Sequence, residues 1–307
     1  MNNFLDLIKH PNQVTKFNAK KYGFIVLLAV EVSDPSLDNA IVDVFFGLNV
    51  ALMTIIAGVF VFILIFRKNR YIRNSGLHSC LLILIGLFFI GISEIFMCIT
   101  LTSAICYLID IFLLIGVSFV ISTLAAKLYR IYRIFRNATA QAIKITDRDL
   151  FIFTFIITVG TMIIFTLYVT IGGGLQPIIM AADSNPLYLF KICLVPDDTI
   201  QTIALISFYV YFISLFIAAG ILAVLTRKTM KDFNESWDVG FVVYSWIGIT
   251  LVYAPIYYVQ GFSTNSNETR HVVRFIGIAL VQTLTLGFLF LNKIIKVIKY
   301  ELKSRTS

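Results

Sequence analysis

Charged residues are scarce in this chain. Only 14% of its 307 residues are Asp, Glu, Lys or Arg, whereas 59% are hydrophobic. A soluble domain typically carries about 25% charged residues, so this balance excludes a soluble globular protein and predicts an integral membrane protein. The net charge of +8 would suggest nucleic-acid binding in a soluble protein. Here the basic residues lie mostly between the apolar runs, so we expect no nucleic-acid partner.

Cysteine and histidine are also rare, with four and three residues respectively. Four cysteines are too few for a disulfide-rich scaffold, and the sequence contains neither a CxxC pair nor a histidine spacing typical of a metal site. The acidic residues within the apolar runs are scattered, whereas an intramembrane enzyme would need them paired at one depth. We therefore expect no metal, no cofactor and no enzymatic activity.

The most informative stretch covers residues 106–137. Residues 107–126 contain one charged residue, Asp110, and about 20 residues at 1.5 Å rise can cross a hydrocarbon core of about 30 Å. Basic residues follow at three-residue spacing among aromatic side chains, as is typical of a cytoplasmic helix end, and they are Lys127, Arg130 and Arg133. Cys106 would then lie at the extracellular end, where a thiol can be oxidised.

Seven apolar runs are long enough to span a membrane and predict an all-α, seven-transmembrane helix bundle: 41–66, 77–100, 107–126, 151–171, 200–226, 239–260 and 272–292. Of the 25 Lys and Arg residues, 18 lie in alternate connections and in the tail. The positive-inside rule therefore places the N-terminus on the outer side of the plasma membrane and the C-terminus on its cytoplasmic side. We divide the chain into a short extracellular segment, a membrane domain and a basic cytoplasmic tail, at residues 1–39, 40–292 and 293–307.

The connection between the fourth and fifth spans, residues 172–199, is the longest one on the outer side and contains Cys193. Long connections usually have a function or a tether. A disulfide between Cys106 and Cys193 would hold this connection over the bundle. Cys98, near the outer end of the second span, is the alternative partner. If the first pairing forms, Cys98 and Cys80 are expected to be apolar packing thiols.

Charged side chains within the spans are costly and usually face the interior of the bundle. Four of them lie towards the outer ends of the spans and could form a charged outer vestibule: Asp43, Glu94, Asp110 and Arg274. We expect a structural network of Arg274 with one of the acids Glu94 and Asp110, and a small-ligand site is the alternative. Of three Asn-x-Ser/Thr sequons, only Asn267 lies on the outer side, which makes it the glycosylation candidate.

Several motifs occur in a suggestive order. Cys106 and a span precede KLYRIYRIF at 127–135, and AIKITDRDL, FNESWDVGFVVY and APIYY follow at 142–150, 233–244 and 254–258. Together they resemble the membrane domain of class C G-protein-coupled receptors, closest to the GABA type B branch, over about residues 40–296. The chain departs from the family in FLNK, where Asn292 replaces the proline of F-x-P-K. This difference leaves open whether the last helix is kinked and where it ends.

The resemblance implies a receptor that transmits an extracellular signal to a heterotrimeric G protein by rearranging its third and sixth helices. It implies a resting-state ion pair between Lys127 and Glu235, with Asp238 as a competing partner and solvated loop charges as the alternative. The implied coupling face is basic: Arg130, Arg133, Arg136, Lys144, Arg227, Lys228 and Lys231. Any of these residues can instead attract the anionic inner leaflet of the bilayer.

The resemblance also implies homo- or heterodimers with another class C subunit. Class C receptors usually bind agonist in a large extracellular domain, whereas about 40 residues precede the first span here. We expect that the chain responds to ligands in the bundle, pairs with a fuller subunit or belongs to a longer gene product. A non-signalling channel or transporter is the alternative. A retinal protein is not expected, because residues 272–292 contain no lysine.

Overall fold

The computed structural model describes residues 31–32, 39–69, 72, 76–98, 102–136, 147–182, 185–196, 198–227, 234–260 and 267–306. Helices account for most of this part of the chain: α1 Asn39–Ile65, α2 Leu77–Met97, α3 Ser103–Arg136, α4 Asp147–Ile171, α5 Asp198–Arg227, α6 Asn234–Gln260, α7 Asn267–Leu286 and α8 Asn292–Thr306. A π-helical turn, Gly287–Leu291, joins α7 to α8. Three strands complete the set: β1 Glu31–Val32, β2 Gln176–Ala182 and β3 Asn185–Leu194.

Six of the described helical segments are long and apolar enough to cross a membrane, and α6 adds a shorter apolar segment, Trp237–Val252. A helix satisfies its own backbone hydrogen bonds, which is what a chain in hydrocarbon requires. In α2 and α3, about half of the apolar stretch is buried within the protein. The buried share is only 22% in α1 and 18% in α5. The predicted helical bundle is therefore confirmed, with α2 and α3 central and α1 and α5 facing outwards over most of their surface.

Polar side chains form hydrogen bonds between neighbouring helices of the bundle. The side-chain amide of Asn49 donates to the carbonyl of Gly91 at 2.9 Å, and the amide of Gln282 donates to the carbonyl of Leu87 at 3.3 Å. The indole of Trp246 on α6 donates to the Thr285 hydroxyl on α7 at 3.0 Å. Such bonds fix the rotation of one helix against another, because a polar group without a partner is costly in an apolar interior.

The contact between α2 and α3 depends on two glycines that face each other. A Cβ atom on Gly116 would lie 2.7 Å from the carbonyl oxygen of Gly86 and 2.9 Å from the backbone nitrogen of Ile90. A Cβ atom on Gly86 would lie 2.9 Å from the carbonyl oxygen of Gly116. Because the obstructing atoms belong to the backbone, no side-chain rotation can relieve the clash. Small residues of this kind let membrane helices approach closely.

We expect the Gly116→Ala variant to be destabilised by about 1–3 kcal/mol, because α2 and α3 must move apart to admit the methyl group. The measurement is the thermal unfolding midpoint of the protein in detergent. Gly248→Ala is the matched control, since a Cβ atom there meets nothing within 4 Å on α6. An equal midpoint for the two variants would contradict the close helix crossing.

A small antiparallel sheet covers one end of the bundle, and the sequence prediction of an all-α protein missed it. Strands β2 and β3 form a hairpin, with Pro177 opposite Cys193, and β1 pairs with the other edge of β3, with Glu31 opposite Ile192. The strand order is thus β1-β3-β2. Two residues of the predicted extracellular segment therefore join the long connection between α4 and α5 in one sheet.

The last helix continues beyond the predicted end of the membrane domain. The π turn precedes Asn292, whose backbone is α-helical at φ −61° and ψ −34°, and α8 follows directly. The side-chain amide of Asn69, just after α1, donates to Glu301 on α8 at 3.4 Å. A π turn accommodates one extra residue, which rotates the following side chains about the helix axis. The π turn ends one residue before Asn292, the position at which the resembling family has a proline.

Candidate functional site

A disulfide joins Cys106, at the start of α3, to Cys193 in β3, with a Cα–Cα distance of 5.7 Å. Cys98, the alternative partner, is not part of a disulfide, and neither is Cys80. We refer to the end of the bundle that carries Cys106 and Cys193 as the disulfide end. Both half-cystines are buried, in an apolar cluster that includes Leu175 and Val195. The hairpin is therefore fastened to the central helix both by a covalent bond and by packing.

The chain reaches this hairpin through a tight turn after α4. Gly173 and Gly174 have φ angles of +84° and +94°, in the left-handed region that favours glycine. Together with Gly172 they form a run of three glycines directly after Ile171, where α4 ends as predicted for the fourth span. The backbone N–H of Leu175 then donates to the Tyr107 hydroxyl at 3.0 Å, so that α3 holds the residue just before the hairpin next to the disulfide.

Three of the four predicted vestibule residues are buried together near the disulfide end. The exposed fraction is 4% for Glu94 on α2 and 7% for Asp110 on α3, and 9% for the side chain of Arg274 on α7. The Arg274 Nε atom lies 3.8 Å from Glu94 Oε1, and the same guanidinium interacts electrostatically with Asp110. Asp43 does not share this burial, because its side chain is exposed on α1.

This charged cluster holds two carboxyl groups and one guanidinium. Among the described residues, Glu94 Oε1 and Asp110 Oδ1 have no hydrogen-bond partner. At 3.8 Å the contact of Arg274 with Glu94 is an ion pair that is longer than a hydrogen bond. The Tyr168 hydroxyl on α4 lies within electrostatic range of Asp110 and beside the backbone of Val195. The cluster thus connects α2, α3 and α7 to the residues that hold the hairpin.

The opposite end of the bundle, which we call the basic end, brings two lysines to one thiol. Lys127 on α3 has an exposed fraction of 6%, and its ammonium nitrogen lies 3.6 Å from Cys80 Sγ on α2. The ammonium nitrogen of Lys293 on α8 lies 3.6 Å from the same sulfur atom. The sequence predicts Lys127 either as a partner for an acid on α6 or as a solvated charge at the helix end, and neither expectation includes Cys80. The depth of Cys80 and Lys127 in their spans was the available signal for this contact.

The predicted ion pair of Lys127 with Glu235 stays a prediction, because the Glu235 side chain lies outside the described residues. Asp238, the competing acid, is half-buried on α6. Arg130 and Arg133 are half-buried near the end of α3, and Arg130 lies beside Gly76, which precedes α2. The other candidates of the coupling face and the glycosylation candidate have side chains outside the described residues: Arg136, Lys144, Arg227, Lys228, Lys231 and Asn267.

In the part of the chain that the structure describes, no group of three or more His, Cys, Asp or Glu side chains is arranged to hold a metal ion. The charged residues that are brought together are instead the cluster of Glu94, Asp110 and Arg274 and the pair of lysines at Cys80. The first group connects α2, α3 and α7 near the disulfide end, and the second connects α2, α3 and α8 near the basic end.

Comparison with known proteins gives a consistent family. The family model described as "7 transmembrane sweet-taste receptor of 3 GCPR" matches residues 35–293. Human metabotropic glutamate receptor 8 is 27% identical over 265 residues, which cover 84% of this chain and 28% of that receptor. A metabotropic glutamate receptor of Drosophila melanogaster is 27% identical over 237 residues, which cover 76% of this chain and 23% of that protein.

The chain therefore spans less than a third of the length of these relatives. The family model nevertheless covers most of the chain, including all the helices through α7 and the disulfide. The family and its metabotropic relatives are receptors, which confirms the expectation that the chain is not an enzyme. The chain belongs to the seven-transmembrane family of class C G-protein-coupled receptors.

Proposed function

We propose that this chain transmits an extracellular signal across the plasma membrane to a heterotrimeric G protein, with its N-terminus outside and its C-terminus inside. The observation that carries the proposal is the family match over residues 35–293. The distribution of basic residues supports the orientation, since most of them flank the ends of the spans opposite the disulfide. In this orientation the disulfide end is extracellular and the basic end is cytoplasmic.

The sheet at the disulfide end offers a route for the signal to enter the bundle. Strand β1 lies just before α1 in sequence and pairs with β3, and β3 is bonded to α3 through Cys193 and Cys106. A force on the segment before α1 would therefore reach the central helix through backbone hydrogen bonds and one covalent bond. The signal need not pass through a ligand inside the bundle, although the buried charged cluster below the sheet is the alternative ligand site.

At the basic end, we propose that Lys127 pairs with Glu235 and holds α3 and α6 in the resting arrangement. Burial of Lys127 supports this role, because a buried ammonium group needs anionic or polar partners. An ion pair at the membrane edge contributes about 1 kcal/mol. That is enough to change the populations of two states that differ by a few kcal/mol.

Replacing Lys127 by Ala should raise basal nucleotide exchange about threefold to fivefold, because about 1 kcal/mol of resting-state stabilisation is lost. The measurement is agonist-free nucleotide exchange on a G protein, normalised to the amount of receptor. Lys296→Ala is the matched control, since Lys296 is exposed on α8. The exchanged pair Lys127→Glu with Glu235→Lys should return basal exchange towards the wild-type level. Unchanged basal exchange in a well-expressed Lys127→Ala variant would refute the ion pair.

We propose that the basic residues near the ends of α3 and α5 have two roles. Together they would contact the G protein, and individually they would attract the anionic inner leaflet, at about 1 kcal/mol for each residue. Arg130 and Arg133, which are half-buried at the end of α3, are the described members of this group. The exposed apolar surfaces of α1 and α5 can contact lipid or a second class C subunit. We therefore also propose that the chain forms a dimer.

Within class C, we also propose that the chain belongs to the GABA type B branch. The motif AIKITDRDL, which runs into the first turn of α4, favours the GABA type B branch, whereas the relatives named above are metabotropic glutamate receptors. Replacing residues 142–150 by the corresponding loop of a metabotropic receptor tests this placement. We expect the exchange to alter which G proteins respond and to leave the thermal midpoint unchanged. An unaltered G-protein preference would argue against the GABA type B placement.

The direct test of the signalling role uses the purified chain in lipid vesicles. We expect it to accelerate nucleotide exchange on at least one heterotrimeric G protein, and the Lys127→Ala variant to do so more strongly. The same vesicles report on the alternative function. Passage of ions or small solutes without any acceleration of nucleotide exchange would favour a channel or transporter and would contradict the receptor role.

A further inference from the structure

Two lysine ammonium groups from different helices meet at the thiol of Cys80. Lys127 approaches from α3 and Lys293 from α8, each at 3.6 Å from the sulfur atom. Cys80 itself is buried on α2, with an exposed fraction of 2%. Cationic groups at this distance stabilise negative charge on sulfur, and the thiolate is the nucleophilic form of cysteine. The arrangement is therefore more than a packing contact between apolar groups.

The second free cysteine provides an internal comparison. Cys98 Sγ lies 3.6 Å from the backbone carbonyl of Glu94, and its thiolate is disfavoured first by burial and then by the Glu94 carboxyl group. Cys98 thus has a carbonyl and a carboxyl group as neighbours where Cys80 has two ammonium groups. A neighbouring negative charge disfavours the thiolate. The two thiols should consequently differ in reactivity in the direction opposite to their exposure, since Cys98 is the more exposed.

A small, apolar cavity lies beside the Cys80 side chain. It has a volume of about 10 Å³, enough for a single water-sized molecule, and its lining includes Cys80, Lys293, Phe62 and Phe290. Lys293 is half-buried, so the cavity lies near the surface of the basic end. A bulky reagent does not fit this space. Among the oxidants of thiols, hydrogen peroxide is close to water in size.

We propose that Cys80 is an oxidation site for hydrogen peroxide. The thiolate sulfur attacks one peroxide oxygen, so that an S–O bond forms while the O–O bond breaks. The leaving hydroxide takes up a proton and becomes water. Sulfur is thereby oxidised to a sulfenic acid and the peroxide is reduced, with no further reactant. Lys127 and Lys293 act as positioning residues that stabilise the thiolate, and this chemistry does not depend on the signalling role.

The test treats the folded, purified full chain with a limiting amount of hydrogen peroxide and removes the excess. The protein is then unfolded in denaturant that contains dimedone, which traps sulfenic acid at every cysteine, and labelling at each cysteine is measured by mass spectrometry. We expect at least about fivefold more label on Cys80 than on Cys98, although Cys80 is the more buried. Lys293→Met should lower labelling of Cys80 about fivefold and leave Cys98 unchanged, whereas Lys293→Arg should retain most of it. Lys127→Met provides a second variant if Lys293→Met does not fold.

Equal labelling of Cys80 and Cys98 in the wild-type protein would overturn the proposal. Labelling of Cys80 that is insensitive to the loss of either lysine would overturn it as well. Because the readout is the occupancy of each thiol, it is unaffected by whether the protein activates a G protein. A chain that fails to promote nucleotide exchange can still meet this test, and a signalling-competent chain can fail it.

Discussion

Replacement of Arg274 by Met should be the most damaging of the substitutions considered. Met resembles the aliphatic part of the arginine side chain but carries no charge, so the variant leaves the carboxyl groups of Glu94 and Asp110 buried without the guanidinium. Removing one partner of a buried ion pair typically costs about 3–5 kcal/mol, because the remaining charge has lost its compensation. In a protein of this size we expect the thermal unfolding midpoint to fall by about 10 °C.

The exposed Arg148, at the start of α4, is the control for loss of an arginine elsewhere, and Arg148→Met should leave the midpoint unchanged. The charge argument is tested by a second change in the damaged protein. Adding Glu94→Gln to Arg274→Met removes one of the two uncompensated carboxyl groups and should recover part of the loss. If the double variant is no more stable than Arg274→Met, packing rather than charge accounts for the role of Arg274.

Loss of the disulfide should be the next largest effect. We expect Cys193→Ser to lower the free energy of unfolding by about 2–4 kcal/mol, because the bond joins residues that are 87 positions apart and restricts the unfolded chain. The thermal midpoint in detergent is again the measurement. The serine would also be buried in an apolar cluster, which adds to the loss.

Cys98→Ser is the matched control, since it removes a free thiol near the same end of the bundle. A reducing agent should lower the midpoint of the wild-type protein to near that of Cys193→Ser and should not affect Cys193→Ser itself. If Cys98→Ser were as unstable as Cys193→Ser, or if reduction had no effect on the wild type, the bond between Cys106 and Cys193 would not be the tether of the hairpin.

The helical part of the fold could be predicted because the physics of a membrane span is local. A run of about 20 apolar residues must form a helix in hydrocarbon, whatever its neighbours are. The predicted span 77–100 therefore appears as α2, Leu77–Met97, and the predicted end of the fourth span at residue 171 coincides with the end of α4 at Ile171. The glycine residues that follow Ile171 indicate the end of this helix.

The sheet could not be predicted in the same way, because pairing depends on residues that are far apart in sequence. Glu31 and Ile192 become neighbours only after the bundle has formed. The β-branched and aromatic residues of NPLYLFKICL were a weak signal for β3, since such residues favour strands. No local pattern indicates that β1 adds to the same sheet.

The contacts of the charged residues likewise depend partly on local sequence and partly on how distant helices pack. Depth in the span was enough to group Glu94, Asp110 and Arg274, since residues at one depth of neighbouring helices meet. Asp43 has a similar depth, but the rotation of α1 exposes its side chain. Rotation also brings Lys293 to Cys80 after the π turn, and the sequence contains no pattern that predicts a π turn at Gly287.

The seven-span arrangement is tested most directly by the location of the two ends of the chain. An odd number of spans places them on opposite sides of the membrane. We predict that an epitope tag at the N-terminus is stained by antibody on intact cells, whereas a tag at the C-terminus is stained only after permeabilisation. Staining of both tags on intact cells, or of neither, would contradict the seven-span bundle and the signalling role built on it.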